Sequence, residues 1–169
     1  MTAQPVLAQY FARQRLERPV VVAPDQGAVK RAQRFAERLG APVAFVDKRR
    51  VQGQVEEVRA TTVVGQVNGC HAILFDEEVD RGGSALEATE LLLASGAREV
   101  CLACTHAVLS GPAVERLSGS ALSEVVVTDT VPVPPGKRWD RLTILPIAPL
   151  IAEAIRRTHT GESVSVLFE

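Results

Sequence analysis

The chain carries almost no net charge. Nineteen Lys and Arg face twenty Asp and Glu, leaving −1 at pH 7. No global basic field is therefore present to recruit nucleic acid or an anionic membrane surface. Long hydrophobic runs are also missing, and none approaches the roughly 20 apolar residues that span a bilayer. Residues 1–5 have neither a basic segment nor an apolar one, so the sequence predicts no secretory signal and a cytoplasmic setting. Cysteine is limited to Cys70, Cys101 and Cys104, too few for a disulfide scaffold and in keeping with reduced thiols. Cys101 and Cys104 have a C-x-x-C spacing, but no second ligand pair exists. In a strand their side chains face opposite sides, so they read as core thiols and not as a metal site. Lysine occurs only at positions 30, 48 and 137. The phosphate-loop pattern G-x-x-x-x-G-K-[ST] does not occur, which excludes that class of kinase. No internal repeat or domain linker interrupts the chain.

What remains is an ordinary globular mixture, 46% apolar and 23% charged over 169 residues, long enough to bury a substantial core. It reads as one domain, residues 1–169. Helical spacing covers Pro5–Glu17, Val29–Leu39, Ser84–Ala94 and Pro146–His159, with a short helix from Pro112 to Leu117. Gly40, Gly96 and Gly161 supply the stops. Apolar runs at Pro19–Ala23, Pro42–Val46, Ala72–Phe75, Glu99–Cys104, Glu124–Thr128 and Leu142–Leu145 read as strands, with a hairpin arm at Thr61–Val64. Strands alternate with helices, and the runs are continuous instead of alternating. That is the signature of an α/β fold, a parallel sheet covered on both faces in three layers. Ligands of such sheets bind beyond the carboxyl ends of the strands, so function rests on loops 24–28, 47–58, 76–84 and 105–111.

The most informative loop is Asp76-Glu-Glu-Val-Asp80-Arg-Gly-Gly-Ser84. An acidic pair, Asp76 and Glu77, leads through Gly82 and Gly83 to a hydroxyl at a helix start. Glycines let backbone N–H groups approach an anion, and the helix dipole favours it. The acids suit ribose hydroxyls or Mg²⁺, which prefers oxygen ligands. The plain alternative is a solvated acidic turn capped by Gly-Gly-Ser. The loop Asp25-Gln26-Gly27-Ala28 offers N–H groups to a pyrophosphate and Asp25 to a metal, or simply caps the helix that follows. Lys48, Arg49 and Arg50 place three cations at a strand end, as phosphoryl transfer requires, or form an exposed basic corner. His106 and Ser110 lack a paired carboxylate and an elbow motif, which argues against a catalytic triad.

Several segments together resemble ribose-phosphate pyrophosphokinases (phosphoribosyl pyrophosphate synthetases). They are 2–11, 20–27, Phe45-Val-Asp-Lys-Arg-Arg50, Thr105-His-Ala-Val-Leu-Ser-Gly-Pro-Ala-Val-Glu-Arg116, 148–157 and Gly161-Glu-Ser-Val-Ser-Val-Leu-Phe168. They run in family order over nearly the whole chain and correspond to the C-terminal half of enzymes about twice as long. The resemblance implies a type I phosphoribosyltransferase-like fold and transfer of the β,γ-diphosphoryl group of ATP to the 1-hydroxyl of ribose 5-phosphate, with Mg²⁺. It assigns Asp76, Glu77, Asp80, Arg81, Gly82, Gly83 and Ser84 to ribose 5-phosphate. It assigns Asp25, Gln26, Gly27 and Ala28 to the pyrophosphate loop, Asp25 and Asp76 to the metal, and Lys48 and Arg50 to catalysis at the start of a mobile loop over 51–59. It also implies a homo-oligomer or a complex with another synthetase-type chain.

This sequence departs from the family pattern at the site. Glu77 replaces an aspartate, Glu78 an apolar residue, Arg81 a threonine and Ala28 a glycine. Val51-Gln-Gly-Gln54 lacks the usual proline and asparagine. The family's adenine-binding residues and a metal-ligand histidine belong to the other half. The chain alone is therefore expected not to make phosphoribosyl pyrophosphate. The alternatives are a non-catalytic regulatory or assembly relative that binds sugar phosphate or nucleotide, and a stand-alone phosphoribosyltransferase, for which no base-binding hood is evident.

Overall fold

The computed structural model describes residues 2–50 and 59–168. Its strands are β1 (Pro19–Ala23), β2 (Val43–Arg50), β3 (Arg59–Val64), β4 (His71–Val79), β5 (Glu99–Ala107), β6 (Glu124–Thr128) and β7 (Leu142–Leu145). Its helices are α1 (Gln4–Arg13), α2 (Val29–Leu39), α3 (Gly83–Ala94), α4 (Ala113–Ser118) and α5 (Ala148–Thr160). The strands form one sheet in the order β3-β2-β1-β4-β5-β6-β7. All neighbours pair in parallel except β2 and β3, which form an antiparallel edge. The expected parallel sheet is thus mixed at one margin.

Strand parity explains the layers. Val20 and Val22 face one side with Leu74, Leu102 and Val127, under α3 and α4. Val21 and Ala23 face the other with Ile73, Phe75 and Val126, under α1 and α2. Three of the five phenylalanines are fully packed into this second side. Phe35 stacks on Phe75 with centroids 4.4 Å apart, and Phe11 meets Phe35 edge-on at 6.3 Å. Truncating the fully buried Phe35 to alanine is worth about 3–5 kcal/mol. Cys101 and Cys104 fall in opposite core layers, and all three cysteines are free.

Several elements differ in length from the sequence reading. β2 runs on through Asp47 to Arg50, β4 through Asp76 to Val79, and β5 to Ala107. The extensions are polar up to the buried Val79 and Ala107 that end β4 and β5, yet their polar residues have ladder partners: Lys48 with Thr61, Asp76 with Cys104, Glu78 with His106. Backbone pairing needs no apolar side chain where the sheet projects past its helices. In the other direction, α1 stops at Arg13, because the chain turns back into β1 through left-handed residues Arg15 and Arg18, both at φ 50°. Among the described residues, no helix is long and apolar enough to cross a membrane.

Candidate functional site

The order of the sheet reverses between β1 and β4, which are neighbours although far apart in sequence. One connection leaves toward β2 and the other toward β5, which opens a crevice at the carboxyl ends of the two strands. The loops that frame it are 24–28 and 80–83, two of the four singled out in the sequence.

After β4 the chain turns sharply into α3. Gly82 makes the turn at φ 74°, and a Cβ there would lie 3.2 Å from the buried Leu117 side chain. No side chain caps α3, and no acid sits in its first turn. The positive end of this helix and the exposed Ser84 hydroxyl therefore face the crevice uncompensated. Asp76, Asp80, Arg81, Gly82, Gly83 and Ser84 line one cleft of about 450 Å³. Glu78, noted in the sequence as a departure from the family pattern, also lines it, as does Arg116, which the sequence reading did not assign to the site. Arg116 comes from α4, whose neighbouring Leu117 side chain lies against the Gly82 turn. Loop 105–111 buttresses the cradle from behind. The Ser110 amide donates to the Asp80 carbonyl at 3.0 Å, and the Val108 and Leu109 amides donate to the Val79 carbonyl. His106 meets Thr130 Oγ1 at 2.9 Å, with no carboxylate partner among the described residues, as a structural histidine would.

The two acids at the end of β4 point to opposite faces. Asp76 follows Leu74 and turns to the cleft, whereas Glu77 follows Phe75 and forms an ion pair with Arg31 of α2 at 3.3 Å. Burial pushes the Asp76 carboxyl above the usual aspartate range, and the charge of Asp25 across the crevice adds to the rise. Asp25 caps the 3-10 turn at Gln26–Ala28, its Oδ1 accepting from the Ala28 amide at 2.9 Å. Among the described residues, no three acidic, His or Cys side chains form a preassembled metal cage. What Asp25 and Asp76 offer is a pair of mutually repelling carboxylates, one of them partly desolvated. Hard cations neutralise such pairs.

Lys48 projects from β2 toward α3, and its Nζ lies 3.3 Å from Glu87, one turn beyond Ser84. Its neighbour Asp47 points the other way and is 3% exposed. It accepts a 2.8 Å hydrogen bond from Gln26 Nε2, pinning the loop after β1 to β2. Arg50 ends β2, its backbone paired with Arg59. The Arg50 side chain and most of the expected mobile loop, residues 51–58, lie outside the described residues.

Comparison with known proteins bears on this site. The model of the phosphoribosyl synthetase-associated domain matches residues 50–169. The chain is 50% identical over 165 residues to the ribose-phosphate pyrophosphokinase of Caldanaerobacter subterraneus subsp. tengcongensis, covering 97% of this chain and 52% of that protein. It is 49% identical to that of Bacillus caldolyticus, covering 98% and 52%. The crystal structure of phosphoribosylpyrophosphate synthetase from Mycobacterium smegmatis superposes with a TM-score of 0.86 at 41% identity, over 95% of this chain and 52% of that one. An adenine phosphoribosyltransferase from Giardia lamblia shares the fold alone, with a TM-score of 0.55 at 15% identity over 85% of this chain and 78% of that one. The chain spans about half the length of the curated relatives it matches. On these matches, the chain belongs to the phosphoribosyl synthetase family.

Proposed function

We propose that this chain is the sugar-phosphate half of a ribose-phosphate diphosphokinase, receiving ribose 5-phosphate so that the diphosphoryl group of ATP can be transferred to its 1-hydroxyl. The observation that carries this reading is the uncapped start of α3 at a topological switch point, with Ser84, Arg81 and Arg116 around it. A 5-phosphate takes the first-turn N–H groups and the Ser84 hydroxyl, while the two guanidiniums supply charge. Asp80 helps to frame the cradle. Asp76 orients the ribose hydroxyls, whereas Glu77 lies on the opposite face of β4 in an ion pair with Arg31. Asp25 and Asp76 are the residues that would hold Mg²⁺, and loop 24–28 would seat the diphosphoryl group. When bound, the metal supplies positive charge against the phosphate oxygens. Lys48 and Arg50 stabilise charge developing on the transferred group. ATP recognition falls to the half of the synthetase that this sequence does not match.

Thermal melts with ribose 5-phosphate, ribose and Mg²⁺ test the reading. A ligand at 100 times its dissociation constant stabilises by about 2.7 kcal/mol, which raises the melting temperature of a chain this size by roughly 5–11 °C. Ribose 5-phosphate is expected to do so and ribose is not. An equal response to both, or to neither, would overturn the reading.

A further inference from the structure

Lys137 is not one of the walls of the cradle cleft, yet it is fastened to the segment that supports the cleft. It ends a 3-10 turn at Pro135–Lys137, preceded by Pro134. The two prolines restrict the backbone of that turn. The Lys137 and Arg138 amides donate back to the Pro134 and Pro135 carbonyls, at 2.9 and 3.1 Å. Val133 before the turn is buried, and Trp139 beyond it packs on the same core layer. The turn is thus a firm base for a side chain that is otherwise flexible.

From this base Lys137 Nζ donates to the Leu109 carbonyl at 2.7 Å. Among the described residues Lys137 has no carboxylate partner. The reason for this bond lies in Leu109. Its backbone takes a left-handed φ of 49°, which is unfavourable for a residue with a Cβ. It is also 0% exposed, and among the described residues no backbone amide donates to its carbonyl. A buried carbonyl needs a donor, and Lys137 supplies a charged one. Backbone strain of this kind persists only where the surroundings hold it.

The held segment meets the cradle from two directions. The Val108 and Leu109 amides donate to the Val79 carbonyl, and the Ser110 amide to that of Asp80. The Ser110 carbonyl in turn accepts from the Ala113 amide at 3.2 Å, where the helix that carries Arg116 begins. Asp80 and Arg116 both line the cleft.

We propose that Lys137 is a positioning residue for sugar-phosphate binding: by holding Leu109 in its left-handed conformation, it sets where Asp80 and Arg116 stand at the cradle. This rests on the assignment of ribose 5-phosphate to that cleft.

The test combines amide hydrogen exchange with calorimetric titration by ribose 5-phosphate. Both are run on the wild-type chain, Lys137→Met and Lys137→Arg, well below their melting temperatures. Lys137→Met keeps the aliphatic stem and loses the donor. Its Ser110 amide is expected to exchange about tenfold faster than in the wild type, and its affinity for ribose 5-phosphate to fall about tenfold. Lys137→Arg keeps a charged donor and is expected to recover part of both. Unchanged exchange at Ser110 overturns the proposal. So does a lower melting temperature or faster exchange with unchanged affinity, because a role confined to stability gives that result. If the wild type binds no ribose 5-phosphate, the assignment of the cleft falls instead. The Ser110 amide then decides alone: faster exchange in Lys137→Met supports Lys137 as the clamp on this segment, and unchanged exchange overturns it.

Discussion

Two adjacent glycines in the cradle separate conformational need from mere space. Gly82 sits at φ 74°. An alanine there carries the left-handed penalty of about 1–2 kcal/mol. Its Cβ would also approach the Leu117 side chain at 3.2 Å, and Leu117 is only 1% exposed, so the neighbour must give way in a packed layer. Together these place Gly82→Ala about 2 kcal/mol below the wild type, a fall of roughly 4–8 °C in melting temperature. Gly83 has ordinary helical φ, and a methyl group there would meet nothing within 4 Å. Gly83→Ala removes a helix-weakening residue and should be neutral or stabilising by up to about 1 kcal/mol. Denaturant titration and thermal melts of the two variants read this difference. Equal stabilities, or a Gly83→Ala chain as weak as Gly82→Ala, would refute the account of the turn.

Three other outcomes follow from the packing and electrostatics. Asp76 has a folded pKa raised by burial first and by Asp25 further down. Its stabilising contribution is therefore full below the unfolded aspartate value and is lost as pH rises through the folded one. Asp76→Asn should melt higher than the wild type at neutral pH without metal, converge with it on the acid side, and gain less from Mg²⁺. A melting temperature at neutral pH below that of the wild type would contradict this. Burial pushes the Cys101 and Cys104 thiols up, and Cys70 is 5% exposed. None of the three should react with a thiol-specific disulfide reagent until the chain unfolds, and rapid labelling of the native chain would contradict the core assignment. Arg141 donates to the carbonyls of Ser118, Ser120 and Leu122 at the end of α4. Arg141→Ala should cost about 2–4 kcal/mol in denaturant titration, while Arg141→Lys recovers only part of it.

Much of the scaffold was legible because it is written locally. The span of α2 was read to the residue, since Val29, Phe35 and Leu39 share a helical period and Gly40 takes the left-handed cap. Gly161 closes α5 in the same way. Strand ends were less legible. The apolar runs stop at Val46 and Phe75, whereas the ladders continue on backbone hydrogen bonds that leave no mark in hydrophobicity. In the site, the turn into α3 was legible from Gly82-Gly83-Ser84, because it lies within one short segment. Arg116 was hidden because it enters through the packing of α4, and the Gln26–Asp47 and Arg31–Glu77 pairs because they join residues far apart in sequence. The opposite facing of Asp76 and Glu77 follows from strand parity, and it became visible once β4 was known to extend through both.

The central claim is that the start of α3 receives a sugar phosphate. Calorimetric titration of the chain with ribose 5-phosphate, with and without Mg²⁺, tests it most directly when Arg81→Thr is run alongside. The account predicts wild-type binding that Mg²⁺ strengthens, and a loss of about tenfold in the variant, as expected for one charge-assisted contact at an exposed position. Failure of the wild type to bind, with binding gained in Arg81→Thr, would show that the arginine blocks the cradle and would contradict the claim.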